Sequence, residues 1–240
     1  MRAAPWMLSA VLVGVCGCAP TTLSPMAVRL APGNPSHVTT RAGMRTGPRL
    51  SVPLQAPEEF QGNRAPFSFP QWSVAYDADL LIPVGGGTGV HLGFQGEVGC
   101  DEIEASCPVP VPGYGLSLGL SHYFRLGDVS LAPAVVLRGA TDFGLASVGG
   151  PSSVLGVEAS ASLAVHGGDG TVVGVVPFFG VHRLIISDRT ASATYAGVAL
   201  AGQFDMGGGE FVELTAGGGL VSMRGVDPWW APIFGIRGGP

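Results

Sequence analysis

From about residue 36 the chain alternates apolar and polar residues with a period of two, not the 3.6 of an amphipathic helix. In 71–82, Trp72, Val74, Tyr76, Ala78, Leu80 and Ile82 alternate with Gln71, Ser73, Asp77 and Asp79. In 90–98, Val90, Leu92, Phe94 and Val98 alternate with His91, Gln95 and Glu97. The same rhythm puts Leu116, Leu118 and Leu120 opposite Ser117 and Ser121, and Leu155, Val157 and Leu163 opposite Glu158, Ser160 and Ser162. The pattern predicts strands at 36–46, 71–82, 90–98, 114–126, 128–139, 155–166, 171–186, 190–205, 209–223 and 229–237. That makes ten, with eight as the lower count. The phase is less clean in several later strands, and 171–186 is nearly apolar throughout. No helix of useful length is predicted.

The connections form a second pattern. A Pro-rich stretch at 47–70 precedes a tight glycine turn at 85–89; the long 99–113 loop precedes a tight turn at Leu126-Gly127-Asp128. A longer loop near 141–152 then precedes Gly167-Gly168-Asp169-Gly170. Long and short connections alternate in this way in transmembrane barrels, where strands of about 9–11 residues cross the bilayer.

The N-terminal segment reads as an export signal: Arg2, then an apolar run from Trp6 to Val15 that is too short to span a bilayer as a helix. Val15-Cys16-Gly17-Cys18 resembles the bacterial lipobox, which implies lipidation of Cys18 with acyl chains such as palmitate. Ordinary secretion with cleavage near Ala19 is the alternative. The implied organisation is a signal peptide at 1–17, a lipidated Cys18 with a flexible tether to residue 35, and a barrel domain at 36–237. By analogy with Gram-negative lipoproteins, the absence of Asp after Cys18 points to the outer membrane. Removal of Cys16 and acylation of Cys18 leave Cys100 and Cys107, which an exported protein can oxidise to a disulfide.

Composition narrows the choice of architecture. Only 12% of residues are charged, against about 25% in a typical soluble domain, and all twelve basic residues are arginine. A net charge of −5 gives no basic footprint for nucleic acid. The polar phase is too sparsely charged to be the outer surface of a soluble protein, so it is expected to face a narrow lumen. There Arg41, Arg45, Arg125 and Arg138 would pair with Asp77, Asp79, Glu97, Glu158 and Glu213, because an isolated buried charge is costly. Trp72, Tyr76, Tyr114, Trp229 and Trp230 fall at strand ends on one side, as an aromatic girdle would.

On these features the body resembles small bacterial outer-membrane barrels of eight to ten strands. The resemblance implies a closed, antiparallel, up-and-down all-β barrel that spans the membrane. It is one of architecture, without a family-specific motif, and the chain departs from the usual pattern by following Phe234 with Gly-Ile-Arg-Gly-Gly-Pro.

Three motifs suggest chemistry. Gly115-Leu116-Ser117-Leu118-Gly119 matches the hydrolase G-x-S-x-G, but a nucleophile elbow needs a strand, a turn and a helix, and this match lies within one strand. Asp77-Ala78-Asp79 is similar to the Asp-x-Asp of omptin proteases, yet the Asp-x-His those enzymes also need does not occur. Ser121 and His122, being adjacent, point to opposite faces of a strand. The five histidines show no metal spacing. The expectation is therefore a lipid-anchored outer-membrane barrel with a structural, adhesive or narrow-pore role, without catalytic residue, metal or cofactor. Its partners would be membrane lipid and, through loops 47–70 and 99–113, cell-surface or envelope molecules. A soluble lipocalin-like lipoprotein binding an apolar ligand, and an omptin-like protease, are the alternatives.

Overall fold

The computed structural model describes residues 38–51, 68–98, 113–141, 152–186, 189–224 and 226–240. Within them the chain is β throughout: β1 (Thr39–Ser51), β2 (Ser68–Gly85), β3 (Thr88–Val98), β4 (Gly113–His122), β5 (Phe124–Leu126), β6 (Val129–Thr141), β7 (Ser152–His166), β8 (Val172–Ile186), β9 (Arg189–Gly207), β10 (Glu210–Met223) and β11 (Val226–Gly239). Apart from β4 and β5, successive strands pair antiparallel, and β1 also pairs with β11, so the sheet closes on itself. β4 and β5 both pair with β6 and are separated only by Tyr123, whose N–H donates to Gly87 O at 2.9 Å. They form one stave, and the barrel has ten staves. Closure satisfies the backbone groups that an open edge would leave unpaired.

The predicted strands are all present, several of them longer than the pattern alone suggested. Part of the 47–70 region expected as loop is strand, with Gly47, Pro48 and Arg49 pairing with Ser73, Trp72 and Gln71. A proline removes one ladder donor but leaves its neighbours paired, so Pro48 does not end β1.

Four short connections, at 86–87, 127–128, 167–171 and 208–209, share one end of the barrel with Val38 and Pro240; Thr39 lies opposite Leu81, and Phe211 opposite Gly239. Gly85, Gly86 and Gly87 have φ of 102°, 59° and 82°, a left-handed path that glycine adopts without strain and that matches the twist of the flanking strands. In the 167–171 connection the Thr171 N–H donates to Asp169 Oδ1 at 3.0 Å, which holds that carboxyl below its usual range. The longer connections expected at 99–113 and 141–152 join strands at the opposite end.

Alternation now acquires a direction. Leu92, Leu116, Leu118, Leu120, Leu137, Leu155, Leu163 and Leu200 all lie on the outside, 43% to 67% exposed. The polar phase is inside, as expected. β8 is apolar on both faces because its inner face meets an apolar part of the interior: Val176, Phe178 and Leu184 point in while Val173, Phe179 and Val181 point out. That part also contains Val154, Tyr195, Val221, Met223 and Ile233. Tyr195 OH donates to Ala231 O at 3.1 Å, which satisfies its one polar atom.

The expected aromatic girdle is present in part. Tyr76 and Tyr114 flank Gly96 in register at the end remote from the turns, Phe94 lies against Tyr114 at 6.0 Å between ring centroids, and Trp230 is exposed. Trp229 departs from the expectation, packing against the interior cluster. Neighbouring residues of one strand face opposite sides, so Trp229 and Trp230 cannot both face outward. Trp72 belongs to β2.

Candidate functional site

The interior polar groups lie on inward positions of β1, β2, β3, β4, β6, β7, β8, β9, β10 and β11, each placed there by the two-residue period. Among the described residues the buried charged side chains are Arg41, Arg45, Arg138 and Arg237 against Asp77, Asp79, Glu158 and Glu213. Four cations therefore meet four carboxylates, and none of the eight is more than 8% exposed.

Five of them form one network across β10, β11, β1 and β2. Arg237 sits at its centre: Nη2 donates to Glu213 Oε1 at 2.7 Å and Nη1 to Asp77 Oδ2 at 3.4 Å. Arg41 Nη1 donates to the other oxygen of Glu213 at 2.8 Å, and Arg45 Nη2 shares Asp77 Oδ2 at 3.0 Å. Arg41 also lies 5.3 Å from the centroid of the Phe211 ring, a cation–π distance. Asp79 lies on the same inner face as Asp77, and its Oδ2 is 3.7 Å from His91 Nδ1. Gly43, in register with both Arg237 and Asp77, makes the crossing feasible: a Cβ there would lie 2.6 Å from Arg237 Cγ and 2.0 Å from Ile236 O.

A second group spans β6, β7 and β8. Glu158 Oε1 is 3.6 Å from Arg138 Nη1 and 3.1 Å from His182 Nε2. Toward the turns, His166 Nε2 lies 2.8 Å from Ser130 Oγ and 3.4 Å from Tyr123 OH. Tyr123 and Phe211, each 8% exposed, narrow the turn-side mouth.

Of the residues expected in the lumen, Arg41, Arg45, Asp77, Asp79, Arg138, Glu158 and Glu213 are there. Arg125 is not: it is exposed on β5, and its Nε donates to Gly127 O at 2.9 Å within its own turn. The stave is interrupted at Tyr123, and the three residues of β5 form a rim beyond the closed wall, so alternation no longer dictates burial. Glu97 lies in β3, in register with Ala75 and Gly113. Cys18 and the Cys100–Cys107 pair fall outside the described residues. Sequence reasoning put His91 and Gln95 in the inward polar phase without a pairing role, and missed Arg237, His182 and Gln203; all five are buried. Arg237 had a signal, since it alternates with Phe234 and Ile236, both outward.

Ser117, the serine of the G-x-S-x-G match, is buried within β4 opposite Gly93 and Arg138, with no helix following. The described residues hold no group of three or more His, Cys, Asp or Glu side chains spaced for a metal ion. A surface concavity of about 1130 Å³ has most of its apolar lining from Leu92, Phe94, Leu116, Leu118, Leu137 and Leu155, and so belongs with the outer apolar band.

No protein-family profile matches the chain, and no curated protein matches it. Among solved structures, the β domain of the Bordetella autotransporter BrkA is similar at 12% identity and a TM-score of 0.39, covering 83% of this chain and 96% of that one. Outer membrane phospholipase A from Escherichia coli is similar at 13% identity and a TM-score of 0.32, covering 85% and 96%. Ail, the attachment invasion locus protein of Yersinia pestis, follows at 10% identity and a TM-score of 0.24, covering 84% and 95%. With TM-scores below 0.5, none of these likenesses bears on a ligand, an activity or a partner.

Proposed function

We propose that this chain is a bacterial outer-membrane β-barrel with a closed lumen, held additionally by a lipid on Cys18, and that its role is structural or adhesive. The observation that carries this reading is the distribution of polarity across the wall. Large apolar side chains face outward around the barrel, while four arginines and four carboxylates are sealed inside. In water that arrangement is inverted: exposed apolar area is unfavourable by about 25 cal/mol per Å², and buried charges are costly unless paired. In hydrocarbon the outer face has its natural solvent, and the closed sheet leaves no backbone edge exposed to lipid.

The same distribution speaks against a lipocalin-like carrier, which needs its apolar phase inside. It also speaks against the narrow-pore variant of the role, because the charged residues are paired across the lumen and not arranged around a wetted channel. Contacts with other molecules would then fall to the connections at 52–67 and 99–112, at the end opposite the turns.

Planar-bilayer recording on the purified, refolded protein tests the closed lumen. The expected trace shows no stepwise conductance above the lipid baseline at 1 M salt. Reproducible unitary steps would overturn the closed-lumen reading.

A further inference from the structure

Three histidine–hydroxyl pairs gather toward the turn end of the barrel. His122 Nδ1 lies 2.8 Å from Thr88 Oγ1, His166 Nε2 lies 2.8 Å from Ser130 Oγ, and His91 Nε2 lies 2.6 Å from Ser121 Oγ. The third pair differs from the others in what stands behind the imidazole. His91 Nδ1 is 3.7 Å from Asp79 Oδ2, so one ring nitrogen meets a hydroxyl and the other faces a carboxylate.

The topology explains how three residues distant in sequence meet. Asp79, His91 and Ser121 lie on the successive strands β2, β3 and β4 with side chains on the lumen face. In register, His91 is opposite Leu81 and Gly119, and Ser121 is opposite Gly89, so each contact is to a diagonal neighbour. Diagonal neighbours across a sheet are within reach of long side chains. Burial is graded along the row: Asp79 and His91 are each 6% exposed, while Ser121 is only part-buried. The carboxylate and base are thus shielded, and the hydroxyl is the member nearest solvent. Ser121 also lies close to the turn-side mouth, two residues from the β4–β5 break, where Tyr123 is bonded to Gly87.

We propose that Ser121 is an activated nucleophile, with His91 as its general base and Asp79 as a positioning residue, and that its substrate class is a carboxylic ester presented to Ser121 at the turn-side mouth. A carboxylate facing Nδ1 favours the tautomer with the proton there, which leaves the Nε2 lone pair aimed at the serine hydroxyl. At 3.7 Å the Nδ1–Oδ2 separation is longer than a hydrogen bond, and it shortens to one as the imidazole takes up a proton, since catalytic contacts tighten in the reacting complex. In the first step Ser121 Oγ bonds to the ester carbonyl carbon and its proton passes to His91 Nε2. The carbon–oxygen bond to the alcohol then breaks, and the alcohol leaves with that proton. In the second step water attacks the acyl-serine, giving one proton to His91, which returns it to Ser121 Oγ as the acid departs. The balance is ester plus water to acid plus alcohol.

This goes beyond the structural or adhesive role and departs from the expectation of a chain without catalytic residues. It also answers the earlier objection to Ser121: His122 does face the other way, and the base comes from the next strand.

The test is covalent labelling of the full-length protein in detergent micelles with a fluorophosphonate probe, scored together with hydrolysis of a p-nitrophenyl butyrate ester. The expected result is one adduct, on the peptide containing Ser121, absent in Ser121→Ala and retained in Ser117→Ala, the other inward serine of β4. His91→Gln is expected to lower the labelling rate at least 10-fold while the heat-modifiable migration of the folded barrel is unchanged. Asp79→Asn lowers the rate less, and His91→Gln removes its rise with pH. Wild-type protein that migrates as a folded barrel and takes no label at Ser121, or labels equally in His91→Gln, would overturn the proposal. The bilayer recording is independent of either outcome.

Discussion

Arg237 bonds Glu213 and Asp77 at once and joins β10, β11 and β2 across the interior. Removing one partner of a buried pair leaves an uncompensated charge and costs about 3–5 kcal/mol. Arg237→Ala should therefore lower the temperature at which the folded band converts to the unfolded one on gels, whereas Arg125→Ala, on the exposed rim, should leave it within about 0.5 kcal/mol of wild type. Gly43→Ala tests the same network from the other side, because the added methyl would meet the Arg237 side chain and the Ile236 carbonyl; it should approach the Arg237→Ala effect although no charge is altered. Most of these residues could be read from alternation, which fixes the face of a residue within a strand. Alternation does not say where a strand ceases to be wall, which is why Arg125 was misplaced. Nor does it give the register between strands, which is why the meeting of His91 with Ser121 could not be seen.

At the level of the strand, the period of two specified ten staves, and glycine turns specified the end at which four of the connections lie. A tilted strand in lipid must keep its outward positions apolar near the bilayer midplane, where an arginine costs about 2–4 kcal/mol. Leu118 is outward and 51% exposed in the middle of β4. Leu118→Arg should therefore reduce equilibrium stability in urea by about that amount, while Leu126→Arg, 78% exposed on the rim segment β5, should cost about 0–1 kcal/mol. Equal effects at the two sites would show that β4 does not cross hydrocarbon. The ends of strands were less legible. Prolines near residue 48 suggested a loop where β1 and β2 remain paired, because a ladder loses one bond to a proline and keeps the others. β8 resisted assignment of its faces for a different reason: both of them are apolar, one toward the interior cluster and one outward.

For the whole molecule, the claim on which the rest depends is that the wall separates hydrocarbon outside from a sealed, charge-balanced interior. It unites the low charge content, the paired arginines and carboxylates, and the closure of β1 onto β11. The direct measurement is spin-label accessibility at two adjacent positions, Leu118→Cys and Ser117→Cys, in protein reconstituted into phospholipid vesicles with its native cysteines replaced. A label at 118 is expected to be relaxed strongly by oxygen, which partitions into hydrocarbon, and weakly by a water-soluble nickel chelate. A label at 117 should be shielded from both. Strong relaxation by the nickel chelate at 118 would mean that the apolar phase faces water, and the membrane-spanning barrel would have to be abandoned.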